Sequence, residues 1–91
     1  MGFRWDAEKA EANFRKHGVR FAEATPVLED DYAITVTDDE SDPHEQRFIS
    51  LGLGAKGRVL VVVYSHRHQD IRIISARTAE PHERQQYEEN R

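Results

Sequence analysis

The sequence predicts a single α+β domain over residues 1–91: an antiparallel β-sheet of four to five strands, preceded by two helices and followed by one. Three observations lead there. Apolar residues recur at helical spacing as far as Leu28 and alternate from Tyr32 onward, a change of period from 3.6 to 2. Short polar turns join the later apolar runs, which suits antiparallel neighbours rather than parallel crossovers. A chain of 91 residues is long enough for one domain and too short for two. These short connections imply a meander with the helices on one face.

Phe3–Trp5 reads as a brief strand at the sheet edge. Asp6 is a good N-cap for the first helix, Glu8 sits favourably in its first turn, and Gly18 supplies a left-handed stop after Lys16 and His17. Ala7, Ala10 and Phe14 give that helix one narrow apolar face. Phe21, Ala24 and Leu28 mark the inward face of a second helix, which Pro26 shortens or kinks by removing a backbone donor. Tyr32, Ile34 and Val36 then alternate with Ala33, Thr35 and Thr37 as in a half-buried strand. Thr37–Pro43 is polar, charged and proline-ended, an exposed loop. Glu45–Leu53 is the next strand and residues 52–57 a turn. Arg58–Ser65, nearly all Val and Leu, reads as a central strand buried on both faces. His66–Asp70 is a turn, Ile71–Ala76 a further strand, and Pro81 opens a last helix anchored by Tyr87.

Composition narrows the function classes. There are no cysteines, so neither disulfides nor thiolate metal sites hold the core. The N-terminus lacks the apolar run of a signal peptide, and the longest apolar stretch, Val59–Tyr64, is far too short to span a bilayer. The expected protein is soluble and cytoplasmic, with no membrane partner. Its net charge of −4 is unevenly spread. Residues 46–79 carry six bases (Arg47, Lys56, Arg58, Arg67, Arg72 and Arg77) against the single acid Asp70. Most of the chain's bases are Arg, whose planar array of donors suits phosphate. The same arginines would also serve simply to solvate the outer face of a sheet.

Side-chain alternation limits which of them can meet. On the last strand Arg72 and Arg77 point in opposite directions unless a bulge intervenes. A concave sheet face would gather Glu45, Arg47, Arg58 and one of the later arginines. A carboxylate among guanidiniums suits phosphodiester transfer, with the acid group taking a proton and the cations stabilising the phosphorane. An ordinary cross-strand salt bridge is the plainer reading of the same residues. His66 and His68 lie two apart, yet in a polar turn with only the distant His44 and His82 as helpers. No metal and no cofactor is therefore expected. Trp5 is most simply a packed aromatic before the N-cap, with base stacking the alternative.

Three blocks carry a family resemblance: Phe3-Arg4-Trp5-Asp6 with Lys9 and Asn13; Lys16-His17-Gly18-Val19-Arg20-Phe21 with Glu23-Ala24; and Arg72-Ile73-Ile74-Ser75-Ala76-Arg77 with Ala79, Glu83, Arg84 and Tyr87. Glu45-Gln46-Arg47, Gly52, Gly57-Arg58 and Val61-Val62-Val63 fit the same pattern between them. Together they resemble the BrnT toxins, whose fold is akin to the RelE ribonucleases and which pair with a BrnA antitoxin. The resemblance implies metal-independent RNA cleavage, in which a ribose 2′-hydroxyl attacks its own phosphate. It makes Glu45 the candidate base, and Arg58, Arg72 and Arg77 the candidates for phosphate binding and charge stabilisation. His17 joins them as a catalytic candidate, and Lys16, Arg47, Tyr64 and His66 as RNA-binding ones, Tyr64 and His66 doubling as candidate acids. The implied partners are a BrnA-like antitoxin of the ribbon-helix-helix type and an RNA substrate, with DNA reached only through the antitoxin. Two rival functions remain: a catalytically silent binding protein acting through an antitoxin complex in transcriptional autoregulation, and a direct nucleic-acid-binding module.

Overall fold

A computed structural model describes residues 2–40 and 42–91; Met1, and Ser41 of the expected loop, lie outside the described residues. The first helix, α1, runs Ala7–His17, and its ends follow the sequence. The Asp6 carboxylate accepts hydrogen bonds from the Glu8 and Lys9 amides at 2.9 and 3.1 Å. At the other end Gly18, at φ 70°, donates its amide to the Phe14 carbonyl, a left-handed stop that an L side chain would strain. The second helix, α2, is only Phe21–Ala24 and tightens at once into a 3-10 turn, Thr25–Glu29, as Pro26 requires.

Five strands follow the order β1 (Phe3–Arg4), β5 (Asp70–Thr78), β4 (Val59–Arg67), β3 (Arg47–Leu53), β2 (Ile34–Asp38) across one sheet. All neighbours are antiparallel except β1, which lies parallel to β5 at the edge. Several boundaries differ from the expectation, among them Asp70, which opens β5, and Thr78, which ends it. His66 and Arg67 belong to β4 rather than to a turn, Tyr32 and Ala33 precede β2, and Glu45 lies in the bend before β3.

The register assigns every strand residue to a face, because paired residues point the same way. Leu60, Val62, Tyr64, Ile71, Ile73 and Ala76 form one face, buried against Val19, Phe21, Ala24 and Val27 of the helical layer. Leu51 and Val61 belong to the other face, beneath Tyr87. Tyr87 is on the last helix, α3 (Pro81–Glu89), where it is the one buried residue. The helices thus occupy both faces rather than the single face expected: the long apolar β4 has two sides to cover, and Tyr87 covers the second. Asp30 fixes this arrangement, accepting from the Tyr87 hydroxyl and from the Leu53 and Tyr32 amides. Burial raises the Asp30 pKa, but these donors outweigh it and the net shift is downward.

A bulge in β5 decides the arginine geometry. Ser75 pairs with Val63 and Ile73 with Tyr64, so Ile74 is an extra residue without a partner on β4. This resets the alternation, and Arg72 (opposite Ser65) and Arg77 (opposite Val61) share the face that carries α3. The opposite edge of β5 is closed by a side chain. Asn13 of α1 donates to the Ala76 carbonyl at 2.9 Å and accepts from the Ala76 amide at 3.1 Å, pairing the strand beyond the point where β1 ends.

Candidate active site

The register places Asp38, Arg47, Ser65, Arg72 and Arg4 in one transverse row on the α3 face, at the end of the sheet away from that helix. Glu45 reaches this row from the bend before β3. Its Oε1 accepts from the Ser65 hydroxyl at 2.8 Å and from Arg72 Nη1 at 3.0 Å. The Ser65 hydrogen bond, and then the positive charges of Arg72 and Arg67, hold the Glu45 carboxyl below the usual carboxylate range. The contact is open: the side chains of Arg72 and Glu45 remain 29% and 35% exposed. Arg47 and Arg67 are exposed and form no ion pair among the described residues.

The other candidates divide between two different places. Arg77 shares the face but points into α3, gripping Glu83 through Nη1 and Nη2 at 2.8 and 2.9 Å. That grip is the main reason the Glu83 carboxyl falls to about 2. Arg77 therefore ties the last helix to the sheet, and its guanidinium is held against Glu83. Arg58 is at the start of β4, on the helical side. Its Nε and Nη2 contact the two oxygens of Glu23 at 2.8 and 2.6 Å, and Nη2 also reaches the Gly18 carbonyl. The Glu23 side chain is 3% exposed, so Arg58 neutralises a carboxylate that would otherwise be buried alone. Arg58 and Ser65 stand near opposite ends of one strand, about 20 Å apart at ~3.3 Å per residue.

Lys16 and His17 end α1 next to Gly18 and so lie by Arg58, not by Glu45. Tyr64 is buried on the helical face, with its hydroxyl 2.9 Å from Ser50 Oγ and its ring stacked on Phe48. His66 is on that same face, its ring edge-on to Phe48 and Tyr64. Of the nine residues singled out from the sequence, the structure thus brings together Glu45, Arg47 and Arg72. Ser65 and Arg67 complete the cluster. Ser65 was invisible as a serine in an apolar run, although its burial on a strand otherwise lined with Val and Leu demanded a polar partner. Among the described residues no three His, Asp or Glu side chains gather in a way that would hold a metal ion.

This cluster can bind an anion and accept a proton. Arg47, Arg67 and Arg72 share this face with the carboxylates of Glu45 and Asp38, and Arg72 spends one N–H group on Glu45 while its remaining donors have no partner among the described residues. No curated protein matches the chain. Among solved structures, the crystal structure of the ribonuclease toxin BrnT of Brucella abortus superposes with a TM-score of 0.70 at 23% identity, covering 88% of this chain and 97% of that one. The two share a fold. The family model for the ribonuclease toxin BrnT of type II toxin–antitoxin systems matches residues 5–83, a span that includes both halves of the helical layer, all of β2–β5 and the start of α3. The chain belongs to the BrnT ribonuclease toxin family.

Proposed function

We propose that this protein is an endoribonuclease that cleaves RNA without a metal, by attack of a ribose 2′-hydroxyl on the adjacent phosphate. The observation that carries the reading is the Glu45 carboxylate held between Ser65 and Arg72 on an open row of cations. In this mechanism the guanidiniums receive the phosphate and Glu45 takes the proton of the 2′-hydroxyl. The 2′-oxygen bonds to phosphorus as the P–O5′ bond breaks, the departing 5′-oxygen takes a proton from water, and a 2′,3′-cyclic phosphate remains. Phosphate binding and proton removal are linked. The Ser65 hydrogen bond, and after it the charge of Arg72, keep the resting Glu45 carboxylate a weak base. A bound phosphodiester competes for Arg72, loosens that pairing and brings negative charge beside Glu45, and both changes raise its basicity. Arg72 then faces the charge that develops on the phosphorane, with Arg47 on the same row and Arg67 two residues beyond Ser65 on the same face.

Membership of a type II toxin–antitoxin family implies an antitoxin partner. In this reading the partner is a BrnA-like ribbon-helix-helix protein that silences the enzyme by covering the same face, and DNA is engaged through it. Exposed Val36, on that face beside the charged row, gives such a cover apolar surface to bury.

A second reading is a silent relative whose role is complex formation. It is favoured by the low basicity of Glu45 and by the capture of Arg58 and Arg77 in bidentate pairs. Product chemistry separates the two. With excess chelator, a labelled RNA cut by this protein should end in a 2′,3′-cyclic phosphate, and a single 2′-deoxy substitution at the cut site should abolish that cut. Cleavage that needs added divalent metal, or that survives the deoxy substitution, contradicts the proposed mechanism. Antitoxin-free folded protein that leaves RNA intact supports the silent relative.

A further inference from the structure

A cleft of about 970 Å³ opens beside the charged row, between β1 and the β4–β5 turn. Its volume is near the upper end of the roughly 300–1,000 Å³ usual for small-ligand sites. Arg72 borders both the cleft and Glu45, so a chain whose phosphate sits on the row continues directly into it. Arg4 and Arg67 add two more guanidiniums against the single carboxylate of Asp70. Asp70 is already engaged by the Arg4 side chain and by the Gly2 amide. Trp5 forms part of the wall. Its ring meets Phe21 edge-on, with centroids 6.0 Å apart and an interplanar angle of 76°, and the residue is 39% exposed.

A large aromatic left partly bare beside several arginines has a specific chemical match. An unpaired base stacks on the ring while its flanking phosphates meet the guanidiniums. Phe21 meets the indole edge-on and 39% of the residue stays open, which leaves ring surface for another flat group to cover. His68, which also lines the cleft, holds φ 58° in the turn between β4 and β5, next to Arg67. We propose that this cleft is a nucleobase subsite for single-stranded RNA, with Trp5 stacking on the base that flanks the scissile phosphate. The proposal rests on the ribonuclease reading above and adds to it which nucleotide the enzyme grips and with what.

Trp5 is the chain's only tryptophan, so the native protein reports on its own subsite. The probe is a single-stranded oligonucleotide fully 2′-O-methylated to block cleavage and labelled at the far end for anisotropy. The expected result is that Trp5 emission falls in step with the rise in anisotropy, and that Trp5→Leu weakens binding by roughly 5- to 150-fold. Trp5→Phe should recover most of that loss, which a merely misfolded variant would not do. In cleavage of unmodified RNA, Trp5→Leu should raise KM more than it lowers kcat. Saturating anisotropy with unchanged Trp5 emission would overturn the subsite and leave the ribonuclease reading intact. No binding of the oligonucleotide overturns the subsite as well, and the cyclic-phosphate assay then decides the ribonuclease reading by itself.

Discussion

The two ends of the sheet use the same chemical pair in opposite ways. At the helical end Arg58 contacts both oxygens of Glu23, whose side chain is 3% exposed. At the open end Arg72 spends one N–H group on one oxygen of Glu45, which is 35% exposed and shared with Ser65. A bidentate pair around a buried carboxylate fixes its guanidinium in one orientation, and removing either partner strands a charge in a poor environment. A single contact at the surface contributes little to stability and leaves both groups free to change partners. Arg77–Glu83 follows the first pattern and holds α3. Candidate chemistry therefore belongs to the arginine in the loosely held pair, not to the arginine with the best ion pair.

The contrast can be broken most sharply at Glu45. Glu45→Gln should lower RNA cleavage by about 10²- to 10⁴-fold, the usual effect of losing a general base, and leave the denaturant midpoint unchanged. Arg72→Ala should cost about 10²- to 10³-fold through lost phosphorane stabilisation. Arg58→Ala should do the reverse. It should cost about 2–3 kcal/mol of stability, less than the roughly 3–5 expected of a fully buried pair because Arg58 is partly exposed. Cleavage per folded molecule should not change.

Acid and alkali sharpen the comparison at the third pair. The folded-state pKa of Glu83 is depressed, to about 2, so its stabilising effect is complete above the unfolded value near 4.5 and is lost as pH falls toward 2. The Tyr87 hydroxyl is pushed up to about 12, by burial first and then by Asp30. Its contribution is complete below the unfolded value near 10 and is lost as pH rises toward 12. Helical circular dichroism from α3 should therefore weaken on both sides of a plateau between about pH 4.5 and 10. Glu83→Gln should remove most of the acid limb. The smallest expected effect is at His17: His17→Ala should alter neither the cleavage rate nor its pH profile, since the residue ends α1 beside Gly18 and Arg58.

Much of this was legible in the residues, for reasons that can be named. Asp6 and Gly18 mark α1 because caps are local chemistry, and the alternation of β3 to β5 survives because each strand has at least one buried face. The position of α3 was not legible. Its only strong signal is Tyr87, and a lone aromatic does not say which face of a sheet it covers. The grouping of the candidate residues was legible in part. Glu45, Arg47 and Arg72 fall within a few residues of strand ends whose pairing the alternation suggests. The pairing of Arg58 was not legible because its partner Glu23 lies in another element, far away in sequence. The relation between Arg72 and Arg77 turned on the bulge at Ile74, and nothing in Arg72-Ile73-Ile74-Ser75 distinguishes a bulged strand from a regular one.

The most direct test compares two arginines in one assay. Antitoxin-free protein, Arg72→Ala and Arg58→Ala are brought to equal folded concentration and given labelled RNA in excess chelator. Cleavage by the parent and by Arg58→Ala, with none by Arg72→Ala, is the predicted result and places the chemistry at the open end of the sheet. Cleavage that survives in Arg72→Ala and disappears in folded Arg58→Ala would contradict that placement and move the site to the helical end.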